Sequence, residues 1–405
     1  MGKRGPVAGR RRDAGEQPLA LVMGDVDLVR ALGLARIPVA YFGPPDASAR
    51  FSRHVRAVLP WIDHWSRGEE LVAELVSYGR GQAEPPVLYP QTDAALLLAS
   101  RYRTKLAGAF RLMLADAELV EQLVDKARFA ELAERHDLPV PRTQRVRPRA
   151  GDPPPALDLR FPVVVKPVVR AAHWDAVSDG GKALHLAGPD DWSAIWPRLA
   201  GLPSELVVQE SVPGPETAIE SYHAYIDRDG AIVGEFTGRK IRTFPPRYGF
   251  STAVEVVDLP DVGELGREVL TRIGLRGVAK ADFKRADGRL HLLEINPRFN
   301  LWHYPAAIAG VNLPALVHAD LTGRPRPAGR RATEPVAWCM PLADLRTAHV
   351  DGTSALTWLR WARGCKAMSG LALEDPLPFL RASLPAAVSR RVPRLPLPLG
   401  RGRAG

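Results

Sequence analysis

A predicted β-hairpin centred near residue 287 constrains this chain more than any other feature. Its strand-like runs are residues 280–284 and 293–298, and the Asp-Gly pair at 287–288 between them is typical of a tight turn. We expect a three-residue loop with Gly288 in the left-handed conformation. This register pairs polar residues across the two strands, with Asp282 opposite Glu294 and Lys280 opposite Asn296.

The same register gives the hairpin one buried face, formed by the apolar residues Ala281, Phe283, Leu293 and Ile295. A two-residue loop would set Asp282 against Leu293 and mix charge with the core, so the apolar pattern argues against it. Two carboxylates and an amide carbonyl are oxygen ligands that Mg²⁺ takes, usually together with water and substrate phosphates. The polar face therefore predicts a metal site that works with a nucleotide. For this fragment alone, an ordinary exposed hairpin with scattered charges is the alternative.

Length and composition limit the class of protein. A chain of 405 residues is expected to form two or three subdomains. Its two cysteines lack metal-ligand spacing, which argues against a disulfide framework or a zinc site and favours the cytoplasm. No apolar run approaches the roughly 20 residues that span a membrane. The apolar stretch after the basic start is interrupted by Asp25 and Asp27, so we expect no export signal.

The net charge of +10 is concentrated at the two ends of the chain. Arginine and lysine cluster within residues 3–12 and 390–403, without interleaved aromatic residues. Such tails are typical of disordered, solubilising ends rather than of a specific nucleic-acid surface. We therefore expect neither a specific nucleic-acid partner nor a membrane partner.

The N-terminal part of the sequence predicts an α/β unit. Strands are expected at 19–23, 38–42 and 87–89, with a helix at 25–33 after the first strand. Thr92 and Asp93 then cap a helix over 94–102. A single long helix is predicted from 116 to 136.

The middle of the sequence predicts mainly strands. Residues 161–165 form an apolar strand with Lys166 at its end, and 206–209 form another. Residues 221–226 and 231–237 are expected to form a hairpin over Asp229-Gly230. Residues 322–335, which are rich in glycine, proline and arginine, are a plausible connector to a less regular C-terminal segment.

Several separated motifs occur in one order between residues 126 and 298, and this order resembles that of the ATP-grasp superfamily. Lys126 comes first, followed by Lys166 after a Val-Val-Val strand, the Gly-Gly-Lys loop at 180–182 and the segment 209–216. The hairpin residues close the set: Asp282, Glu294 and Asn296.

The resemblance implies an α/β fold of the α+β ATP-grasp kind. An N-terminal Rossmann-like pre-ATP-grasp domain would be followed by a two-lobed ATP-grasp domain. The implied division is a disordered basic tail (1–16), a pre-ATP-grasp α/β domain (17–115), an ATP-grasp domain (116–325) and a C-terminal segment with a basic tail (326–405).

The resemblance also implies an ATP site. In this superfamily two early lysines contact the nucleotide phosphates under a glycine loop, and the matching residues are Lys126, Lys166 and Lys182. A later segment contacts the adenine and the ribose hydroxyls, and the matching residues are Gln209, Glu210, Val212 and Glu216. The family's Mg²⁺ (or Mn²⁺) ligands match Asp282, Glu294 and Asn296.

Two further positions match catalytic residues of the family. Arg298 matches a position that faces the transferred phosphate or acyl intermediate, and Lys280 a basic residue near the γ-phosphate. Lys240, Arg242 and Arg247 are candidates to bind a substrate carboxylate, although they could equally be solvated strand ends. His303 and Tyr304 could contact substrate or pack in the core.

The region 21–43 and the segments 52–55 and 374–378 resemble the predicted carboxylate–amine ligases, a group that includes D-aspartate ligase-like proteins. This implies ATP-dependent ligation of a small carboxylate, amino-acid-like in kind, to an amine through an acyl phosphate. The alternatives are another ATP-grasp enzyme, such as a carboxylase or kinase, or a non-catalytic ATP-binding protein. A homodimer is the assembly we consider.

Overall fold

The computed structural model describes residues 17–168, 172–178, 183–245 and 249–381. Within these residues the strands form three sheets of four, four and seven strands. No helix in the described part of the chain has the length and apolar character needed to cross a membrane.

The first sheet is parallel and has the order β3-β2-β1-β4. Its strands are β1 (Ala20–Met23), β2 (Val39–Tyr41), β3 (Val55–Val58) and β4 (Val87–Pro90). The helices of this part are α1 (Val26–Leu34), α2 (Gly68–Arg80), α3 (Asp93–Arg101) and α4 (Arg103–Ala107), with a 3₁₀ turn at Ser48–Phe51. The predicted α/β unit is confirmed, and Thr92 caps α3 as expected. Sequence reasoning missed β3 and α2.

Two short helices precede the second sheet, α5 (Ala117–Val124) and α6 (Lys126–Arg135). The single helix predicted for 116–136 is therefore wrong. Asp125 is extended, with φ −85° and ψ 122°, and its side chain accepts hydrogen bonds from the amides of Ala127 and Arg128. This cap begins a new helix and puts Lys126 at its first position.

The second sheet is antiparallel and has the order β5-β8-β6-β7. Its strands are β5 (Thr143–Val146), β6 (Val163–Pro167), β7 (Leu184–Leu186) and β8 (Leu206–Glu210). Two helices accompany it, α7 (Ala172–Val177) and α8 (Pro189–Ala200).

The third sheet has the order β13-β12-β9-β10-β11-β14-β15. Its strands are β9 (Ile219–Ile226), β10 (Ile232–Phe244), β11 (Phe250–Val256), β12 (Gly277–Ala286), β13 (Arg289–Asn296), β14 (Val336–Cys339) and β15 (Ala367–Met368). The remaining helices are α9 (Pro260–Arg272), α10 (His303–Ile308), α11 (Leu313–Thr322), α12 (Pro341–Val350) and α13 (Ala355–Ala362), with a 3₁₀ turn at Glu216–Ala218. Strands β14 and β15, which come from the expected C-terminal segment, thus extend this sheet.

The β12–β13 hairpin has the expected polar pairs but a different turn from the one predicted. Ala286 pairs with Arg289, so the loop has two residues, Asp287 and Gly288, with φ values of 50° and 74°. The predicted three-residue loop is wrong. A register shift between Asp282 and Phe283, which opposes Phe283 to Leu292, restores the polar pairing. Leu292 therefore lies in the core, and Leu293 is only half-buried.

One hydrophobic core joins the first sheet to the third. It contains Val22, Tyr41 and Tyr89 from the parallel sheet together with Val254 and Trp338 from the seven-stranded sheet. Because these residues pack in one cluster, the carboxyl ends of β1 and β4 are held at a fixed position relative to β12 and β13.

His303 and Tyr304 belong to this packing layer. His303 is fully buried, its ring lies 5.5 Å from that of Phe299, and neither ring nitrogen has a hydrogen-bond partner among the described residues. Tyr304 is also buried and packs against the Arg30 guanidinium. Of the two roles considered from sequence, the geometry favours packing.

A buried ion pair ties the C-terminal part of the chain to α1. The Nε atom of Arg30 donates to Asp375 (3.1 Å), and its other nitrogens donate to backbone carbonyls of residues 368, 370 and 375. Asp375 also accepts hydrogen bonds from the Ser52 hydroxyl and the Arg53 amide. Both charged side chains are at most 2% exposed.

We expect Asp375→Ala to lower the free energy of unfolding by about 3–5 kcal/mol, because it leaves the Arg30 charge buried without its partner. Urea unfolding followed by circular dichroism measures this loss. The control is Arg67→Ala, which removes an exposed ion pair with Glu70 and should cost less than about 1 kcal/mol. Equal losses in the two variants would contradict the structural role of the buried pair.

We also expect His303 to make stability depend on pH. Burial lowers the pKa of His303 to about 3, whereas an unfolded histidine titrates near 6.5. Between these values the unfolded chain binds a proton that the native protein does not, so stability falls as pH is lowered from 6.5 towards 3. The loss is about 1.4 kcal/mol per pH unit.

The measurement compares urea unfolding at pH 7.5 and pH 5 for the native sequence and for His303→Phe. The native sequence should lose about 2 kcal/mol more than the variant over this interval. His349→Phe, which replaces a histidine at the exposed end of α12, is the matched control. An identical loss in the native sequence and His303→Phe would refute the prediction.

Candidate active site

The polar face of the β12–β13 hairpin brings the predicted metal ligands together. Asp282 pairs directly with Glu294, and Lys280 pairs with Asn296. The two carboxylates differ in environment, since the Asp282 side chain is 2% exposed and that of Glu294 is 58% exposed. One acid is thus fixed inside the sheet, and the other faces solvent.

Asp282 is held by three side chains from neighbouring strands. The Ser221 hydroxyl on β9 donates to Oδ1 (2.5 Å), and Lys280 Nζ donates to Oδ2 (2.6 Å). Lys240 Nζ on β10 lies 4.0 Å from Oδ2. Burial by itself would raise the pKa of Asp282, but the charges of Lys280 and Lys240 and the two hydrogen bonds hold it well below its usual range. The carboxylate is therefore ionised at neutral pH.

These residues suit a cation that draws most of its ligands from a substrate. No group of three or more His, Cys, Asp or Glu side chains in the described ranges could hold a metal ion. Two carboxylates and an amide oxygen nevertheless match Mg²⁺, which usually takes one or two protein carboxylates together with phosphate oxygens and water. A cation at Asp282 Oδ2 would compete with the Lys280 ammonium for that oxygen.

A chain of hydrogen bonds continues from Glu294 to the first sheet. Asn296 Nδ2 donates to Glu294 Oε1 (2.9 Å), and Arg298 Nη2 donates to Asn296 Oδ1 (3.0 Å). Arg298 Nε donates to Asp93 Oδ1 at the start of α3 (2.5 Å), and its Nη1 donates to the Gln91 carbonyl (3.2 Å). The predicted catalytic arginine thus joins the hairpin to the end of β4.

The two predicted phosphate-binding lysines lie near this hairpin. Lys126, at the start of α6, has its Nζ 3.5 Å from the carbonyl of Pro167, the residue that follows Lys166 on β6. Burial lowers the pKa of Lys166; Glu294 and Glu216 oppose that shift, and Lys126 adds to it. The charges of Glu294, Glu216 and Lys126 therefore act on the Lys166 ammonium.

Glu216 lies in a 3₁₀ turn beside β12. Its Oε1 is 4.0 Å from Lys284 Nζ, and both side chains are at most 15% exposed. Lys284 follows Asp282 by two residues on β12, which places both side chains on the same sheet face. Lys284 is thus a neighbour of the predicted ribose site that sequence reasoning did not select.

The predicted adenine segment begins at the end of β8. Gln209 Nε2 donates to the Thr143 hydroxyl (3.0 Å). Burial opposes ionisation of Glu210, but its ion pair with Arg160 lowers its pKa overall. The Glu210 amide donates to the Arg142 carbonyl, so it contributes to the sheet. Val212 follows in the loop between β8 and Glu216.

The predicted glycine loop and the candidate carboxylate-binding residues are only partly within the described structure. Gly180, Gly181, Lys182 and Arg247 lie outside the described residues. Arg242 makes a bidentate ion pair with buried Asp344 (2.8 and 2.6 Å) and lies over the Trp361 ring, so its guanidinium serves α12 and α13. Lys240 instead lies near Asp282, as described above.

Sequence reasoning also missed Ser221, Gln91 and the contact between Asp93 and Arg298. Ser221 could have been found from the predicted β9 strand once its pairing with β12 was known, because it opposes Asp282. Asp93 was identified only as a helix-capping residue. Its ion pair with Arg298 spans 205 residues of sequence and leaves no local signal.

Comparison with known proteins identifies the fold. No family model matches the chain. D-aspartate ligase from Enterococcus faecium (strain Aus0004) is 29% identical over 299 residues, which are 70% of this chain and 70% of that protein.

Solved structures match most of the chain at low sequence identity. The biotin carboxylase–β,γ-ATP complex from Campylobacter jejuni has a TM-score of 0.60 at 12% identity, covering 80% of this chain and 76% of that one. The L-amino acid ligase from Bacillus licheniformis has a TM-score of 0.57 at 15% identity, covering 80% and 79%. The ADP complex of N5-carboxyaminoimidazole ribonucleotide synthetase has a TM-score of 0.59 at 12% identity, covering 80% and 81%. The expected fold is confirmed: the chain has the ATP-grasp fold of these solved structures, and its sequence is similar to that of D-aspartate ligase.

Proposed function

We propose that this protein is an ATP- and Mg²⁺-dependent ligase that joins an amino-acid-like carboxylate to an amine and releases ADP and phosphate. The observation that carries the proposal is the single polar face that Asp282, Glu294, Asn296 and Lys280 share, with Arg298 hydrogen-bonded to Asn296 at its end. The similarity to D-aspartate ligase and L-amino acid ligase supports the reaction class.

The proposed reaction has two steps. A substrate carboxylate oxygen attacks the γ-phosphorus of ATP, the bond from that phosphorus to ADP breaks, and an acyl phosphate forms. An amine nitrogen then attacks the acyl carbon, phosphate leaves, and the nitrogen loses a proton to give an amide. Phosphoryl transfer asks the protein mainly for positioning and charge stabilisation, so no protein nucleophile is needed.

The proposed roles follow the charges of the site. Lys126 and Lys166 would bind the ATP phosphates, Glu216 the ribose hydroxyls, and the segment from Gln209 to Val212 the adenine. Asp282, Glu294 and Asn296 would hold Mg²⁺ (or Mn²⁺), which when bound neutralises charge on the β- and γ-phosphate oxygens.

Lys280 and Arg298 would act on the reacting groups. Lys280 would stabilise charge at the γ-phosphate, and Arg298 would face the transferred phosphate or the acyl intermediate. Both side chains are largely buried, at 13% and 19% exposure, and electrostatic interactions strengthen when water is excluded. We propose a cytoplasmic enzyme, with a homodimer as the assembly to test.

A carboxylase of the same superfamily is the second candidate, because the biotin carboxylase structure shares the fold. Both activities would use the same nucleotide residues and differ in the acceptor. Dependence of ADP release on bicarbonate and biotin would identify a carboxylase, whereas dependence on a carboxylate and an amine would identify a ligase.

The test measures ADP and phosphate release from Mg-ATP across a panel of amino-acid carboxylates and amines, with bicarbonate plus biotin as a separate arm. We expect release that requires one carboxylate and one amine, with an amide product detected by mass spectrometry. Release supported only by bicarbonate and biotin would overturn the ligase proposal. ATP binding without release under every condition would favour a non-catalytic protein.

Glu294→Gln should lower Mg²⁺-dependent turnover by at least about 100-fold, because it removes a charged ligand of the metal ion. When Mg²⁺ is bound less tightly, the negative charge on the reacting phosphates is neutralised less. Since Glu294 is exposed, the melting temperature should stay near that of the native protein. Glu264→Gln, an exposed position on α9, is the matched control. Full activity in Glu294→Gln would refute the metal assignment.

A further inference from the structure

An ion pair connects the proposed catalytic arginine to the first sheet. Arg298 Nε donates to Asp93 Oδ1 at 2.5 Å, and the Arg298 side chain is 19% exposed. Asp93 is the first residue of α3, and the helix cap itself is supplied by the Thr92 side chain. The Asp93 carboxylate is therefore not needed to cap its own helix and is available to Arg298.

The contact with Asp93 leaves Nη donors of the Arg298 guanidinium for an anion. Arginine has five N–H donors. The described residues use three of them: Nε with Asp93, one Nη1 proton with the Gln91 carbonyl, and one Nη2 proton with Asn296. One proton remains on Nη1 and one on Nη2, and each can donate to an oxygen of a carboxylate or phosphate. Asp93 itself binds at Nε.

Asp93 and the Gln91 carbonyl, which both contact Arg298, lie just after strand β4 of the parallel sheet. In the order β3-β2-β1-β4, β2 and β3 lie on one side of β1 and β4 lies on the other, so the strand order reverses between β1 and β4. Ligands of open α/β sheets bind at the carboxyl ends of the strands at such a point. There the Asp25 amide donates to Gln91 Oε1 (2.8 Å), and Gln91 Nε2 donates to Asp25 Oδ2 (2.6 Å). This reciprocal bonding fixes the loop after β4, from which both the Gln91 carbonyl and Asp93 reach Arg298.

We infer that Asp93 is a positioning residue for the ligase reaction. It holds the Arg298 guanidinium with its Nη atoms turned to the anionic group that forms or reacts between the hairpin and the carboxyl ends of β1 and β4. The inference rests on the proposed role of Arg298. Asp93 does not contact the reacting atoms itself, and its effect passes through the arginine.

The inference predicts effects on turnover rather than on nucleotide binding. Asp93→Ala should lower kcat by roughly 10- to 100-fold, because small misplacements of a catalytic group have effects of this size. The KM for ATP should change less than about threefold, since Asp93 is not among the proposed nucleotide ligands. Asp93→Asn keeps an oxygen acceptor for Arg298 Nε and should retain more activity than Asp93→Ala.

A double-mutant cycle separates positioning from a structural role. If Asp93 acts through Arg298, Asp93→Ala should lower kcat in the native background but have almost no further effect in the Arg298→Ala background. Glu121→Ala is the matched control, because it removes an exposed ion pair between Arg101 of α3 and α5. The melting temperature of every variant is measured alongside the kinetics.

The outcomes distinguish the two proposals. A large loss in Arg298→Ala with unchanged kcat in Asp93→Ala would overturn the positioning role and leave the proposed function intact. Multiplicative losses in the double variant, or losses matched by Glu121→Ala, would also overturn it. Unchanged activity in Arg298→Ala would instead refute the role of the arginine on which the inference rests.

Discussion

The ion pair between Lys280 and the buried carboxylate of Asp282 is the interaction on which the candidate site depends. A carboxylate with 2% exposure would be strongly destabilised without partners, and removing one partner of such a pair leaves an uncompensated charge. Ser221 and Lys240 complete the set from β9 and β10. The Asp282 carboxylate thus orders three neighbouring side chains, those of Lys280, Ser221 and Lys240.

One extra residue on β13 decides whether this site can exist. With a two-residue turn and regular pairing, Asp282 would oppose Leu293, and the carboxylates would lie on opposite faces of the hairpin. The irregularity between Asp282 and Phe283 shifts the register, so that Glu294 faces Asp282 while Leu292 enters the core. Bulges re-aim side chains beside functional sites in this way. The turn and the bulge together satisfy both the polar and the apolar pattern.

The sequence predicted the pairs of the hairpin because alternation and register depend on nearby residues. The ATP-grasp fold followed from the order of motifs, and the first α/β unit from local patterns. The exact loop did not follow, because a two-residue turn with a bulge and a three-residue loop give the same pairing. The break at Asp125 was missed because an apolar period continues across it, although the aspartate caps α6. Ser221 and Asp93 act through contacts between distant segments, and the sequence contains no local record of them.

The shared core explains why the first and third sheets can build one site. Tyr89 at the end of β4 packs against Phe299, the residue after Arg298, with ring centroids 4.9 Å apart. Because these rings are buried together, packing holds the loop after β4 next to the end of β13. The Asp93–Arg298 ion pair lies at the solvent side of this apolar contact. Packing therefore sets the distance between the two segments, and the ion pair needs only to orient the Arg298 guanidinium. Ordering one side chain costs less conformational entropy than holding two backbone segments together.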